Sequence, residues 1–97
     1  MIVNVKGVHY NVSETTNEYI EKKLEKLEFV KDLIVDLHII IKKESKGFFT
    51  VEANIHFRWG QNSHIKIEER ELYKAIDEIF DKMLIKISRE KEKIKQH

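Results

Sequence analysis

The 97-residue sequence predicts an α+β domain spanning residues 1–97, in the order β-α-β-β-β-α, with a four-stranded mixed sheet and two helices packed on one of its faces. Three observations predict it. Residues 34–43 and 48–59 alternate apolar and polar side chains at the two-residue period of strands buried on one side. Residues 14–29 and 70–97 repeat their apolar residues at the 3.6-residue period of amphipathic helices. The chain has three glycines and no prolines, so few positions interrupt these segments.

Residues 2–6 (Ile-Val-Asn-Val-Lys) are β-rich and form a short first strand closed by Gly7. Ser13 is a natural N-cap, and Glu14 suits the positive end of the helix that follows. In that helix Ile20, Leu24 and Leu27 form the apolar stripe. Val35, Leu37, Ile39 and Ile41 are expected inward on the second strand, with Ile34, Asp36, His38, Ile40 and Lys42 outward. Residues 44–47 make the turn. Phe49, Val51, Ala53, Ile55, Phe57 and Trp59 point inward from the third strand, while Thr50, Glu52, Asn54, His56 and Arg58 point outward. Opposed residues of an antiparallel pair share a face. Phe57 is therefore paired with Ile65 across a three-residue loop at 60–62, and Ile41 with Phe49 across the preceding hairpin. Ile65 and Ile67 face inward from the last strand. Leu72, Ile76, Ile79, Phe80, Met83, Ile87 and Ile94 line the final helix. A right-handed crossover makes the first two strands parallel if they are neighbours. Both helices must cover the one apolar sheet face, a dsRBD-like arrangement.

The absence of cysteine excludes disulfides, thiolate zinc sites and a Cys nucleophile. With three glycines, neither type of Gly-rich phosphate loop can be built. No stretch is long and apolar enough to span a membrane, and the N-terminus lacks signal-peptide features, so a cytoplasmic location is expected. The net charge of +1 hides an asymmetry. Residues 82–97 carry six basic and two acidic side chains, against 12 basic and 15 acidic in residues 1–81.

At about 100° per residue, Lys22, Lys23 and Lys26 fall on one flank of the first helix's apolar stripe, with Glu18, Glu21, Glu25 and Glu28 on the other. Measured from Ile76, Lys82, Lys86, Arg89 and Lys93 lie at roughly 220° to 280°, with Asp77, Asp81 and Glu92 at roughly 100° to 160°. Two basic flanks side by side would make a cationic strip suited to nucleic-acid phosphates. The bland alternative is a solvated face with i,i+4 pairs, for which Glu18–Lys22 and Glu78–Lys82 have the right order.

The run ELYKAIDEIFDKMLIKISREKEKIKQH resembles the C-terminal helix of the ribosome hibernation-promoting factor and ribosome-associated inhibitor family. Glu71, Leu72, Tyr73, Ala75, Ile76, Asp77, Asp81 and Lys82 carry the match. Val12-Ser13, Tyr19-Ile20, Lys23-Leu24 and Lys26-Leu27-Glu28 resemble that family's capped first helix, and the resemblance covers the whole chain. It implies binding to the small ribosomal subunit between head and body. There the protein would occlude messenger RNA and the A- and P-site transfer RNAs without chemistry. It also implies a role in stress and stationary phase. By position, the resemblance places ribosomal RNA contacts at Lys23, Lys26, Lys82, Lys86, Arg89, Lys91 and Lys93, and Lys22 joins them as part of the first basic flank. The sequence departs at Ile85, where relatives often carry Arg or another polar residue. With nothing after His97 it looks like the short form, monomeric when free, which favours inactive ribosome dimers together with a second small factor.

Other readings use what is left. Five histidines invite a metal site, but the expected registers set His38 opposite Glu52, His56 opposite Lys66 and His64 opposite Arg58, so no three ligands converge. No catalytic triad, cofactor or small-molecule substrate is expected. Base stacking on the sheet is disfavoured, since the open face carries no aromatics. A general double-stranded-RNA reader would suit the same basic helices. A pure interaction domain would use exposed Ile34, Ile40 and Ile85.

Overall fold

The computed structural model describes residues 1–95. Its order is β1 (Ile2–Val8), α1 (Glu14–Leu24), a 3-10 segment (Glu25–Leu33), β2 (Ile34–Lys43), β3 (Phe49–Phe57), β4 (Asn62–Glu69) and α2 (Leu72–Lys95). The sheet order is β1-β2-β3-β4; β1 runs parallel to β2, and the other neighbours are antiparallel. The α+β class, the mixed four-stranded sheet and the two helices match the expectation. The last two residues of the expected final helix lie outside the described residues.

The core forms because one sheet face is apolar and both helices turn an apolar stripe toward it. Leu37, Ile39, Ile41, Val51, Ala53, Ile55, Phe57 and Ile67 supply the sheet side. Ile20, Leu27 and Val30 cover it from the first helical stretch, and Ala75, Ile76, Ile79, Phe80, Met83 and Ile87 from α2. Ser13 caps α1 as expected, its hydroxyl accepting the Thr16 N–H at 3.1 Å. The expected helix over 14–29 instead tightens into 3-10 geometry at Glu25, and this segment runs straight into β2.

Three local expectations are corrected. Ile34 is buried and Val35 exposed, the reverse of the alternation, because a β-bulge between Ile34 and Asp36 puts one extra residue on β2. Ile34 opposes Phe57 in the core, and the regular alternation begins at Asp36. Ile34 is thereby removed from any exposed interaction surface. Second, the register of both hairpins is displaced: Ile41 opposes Val51, and Ala53 opposes Ile65. Both shifts are even, so the paired side chains from Asp36 to Phe57 and on β4 keep their faces. Third, the β3–β4 loop is Arg58–Gly60, closed by Phe57 N–H to Gln61 O at 2.9 Å, with Gly60 at φ +91°. That left-handed backbone costs glycine nothing and fixes the turn earlier than residues 60–62. Trp59 consequently sits in the turn, half-exposed, its ring stacked on Phe57 at 4.8 Å.

A polar tie joins the helices. Asp77 Oδ1 on α2 accepts from the Tyr19 hydroxyl at 2.5 Å and pairs with Lys23 Nζ at 2.7 Å, both from α1. Tyr19 also stacks on Tyr73, with ring centroids 4.6 Å apart. The Lys23 ammonium, and next the Tyr19 hydroxyl, hold the Asp77 carboxyl below its ordinary value. The same pairing raises Lys23.

Two outcomes follow from this packing. A Cβ at Gly7 would lie 1.9 Å from the backbone oxygen of Tyr10. Gly7→Ala should cost about 1–3 kcal/mol, read as a lower urea midpoint at unchanged slope. Asp77→Asn should cost roughly 1 kcal/mol at pH 7, a modest figure because the carboxylate is partly solvated. The depressed carboxyl contributes stability above its ordinary value of 3.8, and that contribution is lost as pH falls through the depressed value. Thermal melting of the two proteins should therefore differ at pH 7 and converge in strong acid. A gap that persists there would assign the loss to packing instead of charge.

Candidate nucleic-acid interface

The basic side chains sit where they do because α2 must bury its stripe. Once Ile76, Ile79, Met83 and Ile87 face the sheet, the flank at roughly 220° to 280° turns toward β4. Lys82, Lys86 and Arg89 come together there, lining one open groove with Ile65 of β4 and Ile85. Lys82, Arg89 and Lys93 are solvent-exposed, and Lys86 is half-buried. Among the described residues Lys82 and Arg89 make no ion pair, so their charge is open to a partner. The other flank of α2, which carries Tyr73 and Asp77, faces α1.

The lysines of α1 meet that second flank. Lys23 is committed to Asp77, Lys26 lies close enough to favour the same ionised carboxylate, and Lys22 lines a separate groove with Thr15, Glu18, Tyr19 and Tyr73. Lys91, at about 60° from Ile76, also lies on the α1 side. The two basic flanks thus stand on opposite sides of α2 instead of side by side. The physical reason is the Asp77 tie, which draws the α1 lysines to an acidic flank.

The sequence reading missed Glu90. It lies on the edge of the apolar stripe, its side chain 1% exposed, with Lys93 Nζ at 3.2 Å and Lys86 Nζ at 3.4 Å from the same oxygen. Burial disfavours its ionisation, but the two ammonium groups outweigh it and lower its pKa. Its second oxygen, Oε2, is buried without a hydrogen-bond partner. Lys86 and Lys93 are therefore held in position and partly neutralised. The signal in the sequence was the spacing: Lys four residues before and three residues after a Glu at a core angle. The expected pairs Glu18–Lys22 and Glu78–Lys82 do not form among the described residues; Lys86–Glu90 is the i,i+4 pair that does.

The open sheet face is polar. Its registers oppose His38 to Asn54, His64 to Asn54 and His56 to Asn62, and set Glu52 opposite Ile40 and Lys66, which corrects all three expected histidine pairings. His38 Nε2 and His56 Nδ1 lie 3.3 and 3.5 Å from Asp36, and His64 Nε2 is 2.9 Å from Glu52. Glu52 is lowered overall: burial acts against ionisation, and His64 and Lys42 more than offset it. Among the described residues no three metal-capable side chains converge. The strands carry His38, His56 and His64 on this face but no Phe, Tyr or Trp, and Lys82, Lys86 and Arg89 form a cationic strip beside β4.

Comparison with known proteins bears on the family and the fold. Residues 3–95 match the family described as sigma 54 modulation protein / S30EA ribosomal protein. The chain is 32% identical to the ribosome hibernation promoting factor of Escherichia coli strain K12 over 97 residues, covering 100% of both. It is 32% identical to that of Pseudomonas putida KT2440, covering 96% of this chain and 89% of that one. Its fold superposes on a ribosomal subunit interface protein from Coxiella burnetii with TM-score 0.84 and 27% identity, covering 94% and 98% of the two chains. The N-terminal domain of Thermus thermophilus Protein Y has the same fold, with TM-score 0.79 at 22% identity, covering 92% and 98%. With its family pattern matched from the first strand to the end of α2, the chain belongs to the sigma 54 modulation protein / S30EA ribosomal protein family.

Proposed function

We propose that this protein is a ribosome hibernation factor of the cytoplasm. It binds the small ribosomal subunit in the decoding channel and blocks messenger RNA and the A- and P-site transfer RNAs. Inactive ribosome dimers form with its help. The observation that carries this reading is the match to hibernation promoting factors along the entire chain. The exposed Lys82, Lys86 and Arg89 strip supplies a physical means, because lysine and arginine displace counterions from RNA phosphates. Lys93 extends that strip, while Lys22, Lys23, Lys26 and Lys91 form a second, weaker cationic area on the α1 side. Silencing is by occlusion, with no turnover, metal or nucleotide.

Sedimentation with isolated small subunits tests the binding. With about five phosphate contacts, the logarithm of affinity should fall with the logarithm of salt at a slope of about −3 to −5. Lys82→Glu and Arg89→Glu together should leave the melting curve nearly unchanged, since both side chains are exposed and such surface substitutions usually shift stability by less than about 0.5 kcal/mol each. Lys86 is kept, because a glutamate there would face the buried Glu90 carboxylate. The double variant should lose most of its binding. A folded double variant that still pellets with small subunits as the parent does would remove the α2 strip as the binding surface.

The channel assignment has its own test. In a defined initiation assay, P-site transfer RNA bound beforehand should weaken inhibition, and chelator should leave it intact. Inhibition at sub-stoichiometric protein would point to a catalytic mechanism such as RNA cleavage.

A further inference from the structure

The groove between β4 and α2 is not purely cationic. Ile65 and Ile85 line it together with Lys82, Lys86 and Arg89. Ile85 is 53% exposed, an apolar side chain set among three positive ones. A lone exposed isoleucine calls for no explanation, but this one shares a concave surface with a second isoleucine. The groove measures about 320 Å³, at the small end of the roughly 300–1,000 Å³ of small-molecule sites. It is large enough to take one nucleotide-sized unit.

The three cations select an anion, and the two isoleucines select a flat apolar surface. An RNA nucleotide carries both, with phosphate on one side and base faces on the other. A base within a duplex hides its faces in the stack, so the occupant must be unstacked, as in a loop or single-stranded end. Apolar side chains serve as stacking platforms for extruded bases, so an aromatic ring is not required. Lys86 is already fixed by Glu90 at 3.4 Å, which presents a positioned ammonium to the groove.

We propose that this groove is a nucleotide-binding subsite for one unstacked base of structured RNA, the base resting on Ile65 and Ile85 and its phosphates meeting Lys82, Lys86 and Arg89. This rests on the reading that the α2 strip contacts ribosomal RNA. Ile85 then confers a preference for a site with an exposed base, whereas a cation at 85 would add only another phosphate contact.

Chemical footprinting of small subunits saturated with the protein tests it. Base-specific alkylation reports exposed base edges, and hydroxyl radicals report the backbone. With the parent protein, one or two unpaired bases should become protected by at least about threefold. Ile85→Ser should lose that base protection and keep the backbone footprint, since no charge has changed. Ile85→Leu should protect as the parent does. Circular dichroism melting should be the same for all three. Equal base protection by Ile85→Ser overturns the subsite and leaves the cationic strip standing. Loss of backbone and base protection together overturns it as well, because the isoleucine would then support the whole interface. No footprint from the parent protein would overturn the ribosome-binding reading itself.

Discussion

The apolar inner face of the sheet is the constraint on which the other features depend. Val51, Ala53, Ile55 and Phe57 form an unbroken apolar row on β3, flanked by Leu37, Ile39 and Ile41 on β2. Each large side chain of this kind contributes about 1.5–3 kcal/mol when removed from water, so an uncovered face could not persist. α1, the 3-10 segment and α2 cover it, and each must turn its own apolar stripe inward to do so. That rotation leaves no freedom in where the charges go. Asp77 is delivered to α1, and the Lys82, Lys86 and Arg89 flank is delivered to the β4 edge. The candidate interface is thus a by-product of core packing in position, though not in composition.

Composition then decides how much of that charge is available. Lys23 is committed to Asp77, within a tie that joins the two helices. Lys86 and Lys93 share one buried carboxylate oxygen of Glu90. A buried carboxylate between two ammonium groups stabilises little by itself, because desolvation offsets the attraction. What it does is restrict two long side chains that would otherwise lose rotamer freedom on meeting a partner. Glu90 therefore trades net positive charge for order. Lys82 and Arg89, outside this cluster, keep their full charge.

The parts of this structure that were legible in the sequence are those fixed by periodicity. Alternation assigned nearly every strand residue to its face, and the 3.6-residue period placed the α2 core from Leu72 to Ile87. Register was not legible, because parity cannot distinguish a pairing from one displaced by an even number of residues. Ala53 opposite Ile65 keeps core against core as well as Phe57 opposite Ile65 would. The turn chosen by Gly60, with Trp59 folded onto Phe57, settles it. The bulge at Ile34–Asp36 was hidden for a different reason: Ile34 and Val35 are both apolar, so either reading satisfies the pattern. Glu90 was read by its charge alone, and its core angle was overlooked.

A protein of net charge +1 would seem a poor ligand for a polyanion. Screening removes the difficulty. At physiological salt a charge is felt over about 8 Å, so a phosphate approaching the β4 edge responds to Lys82, Lys86 and Arg89 and very little to carboxylates elsewhere on the molecule. The separation of the two basic flanks by the crest of α2 matters for the same reason. On the proposed reading each flank would act on its own stretch of backbone, and neither would reinforce the other at a distance. Binding through two such areas requires an RNA surface that presents phosphates on both sides of one helix, and a single duplex groove cannot easily do that. A folded RNA cleft can, and the near-neutral body between the two areas discourages adhesion to RNA in general. Local charge on a neutral frame thus favours a shaped site over any available polyanion.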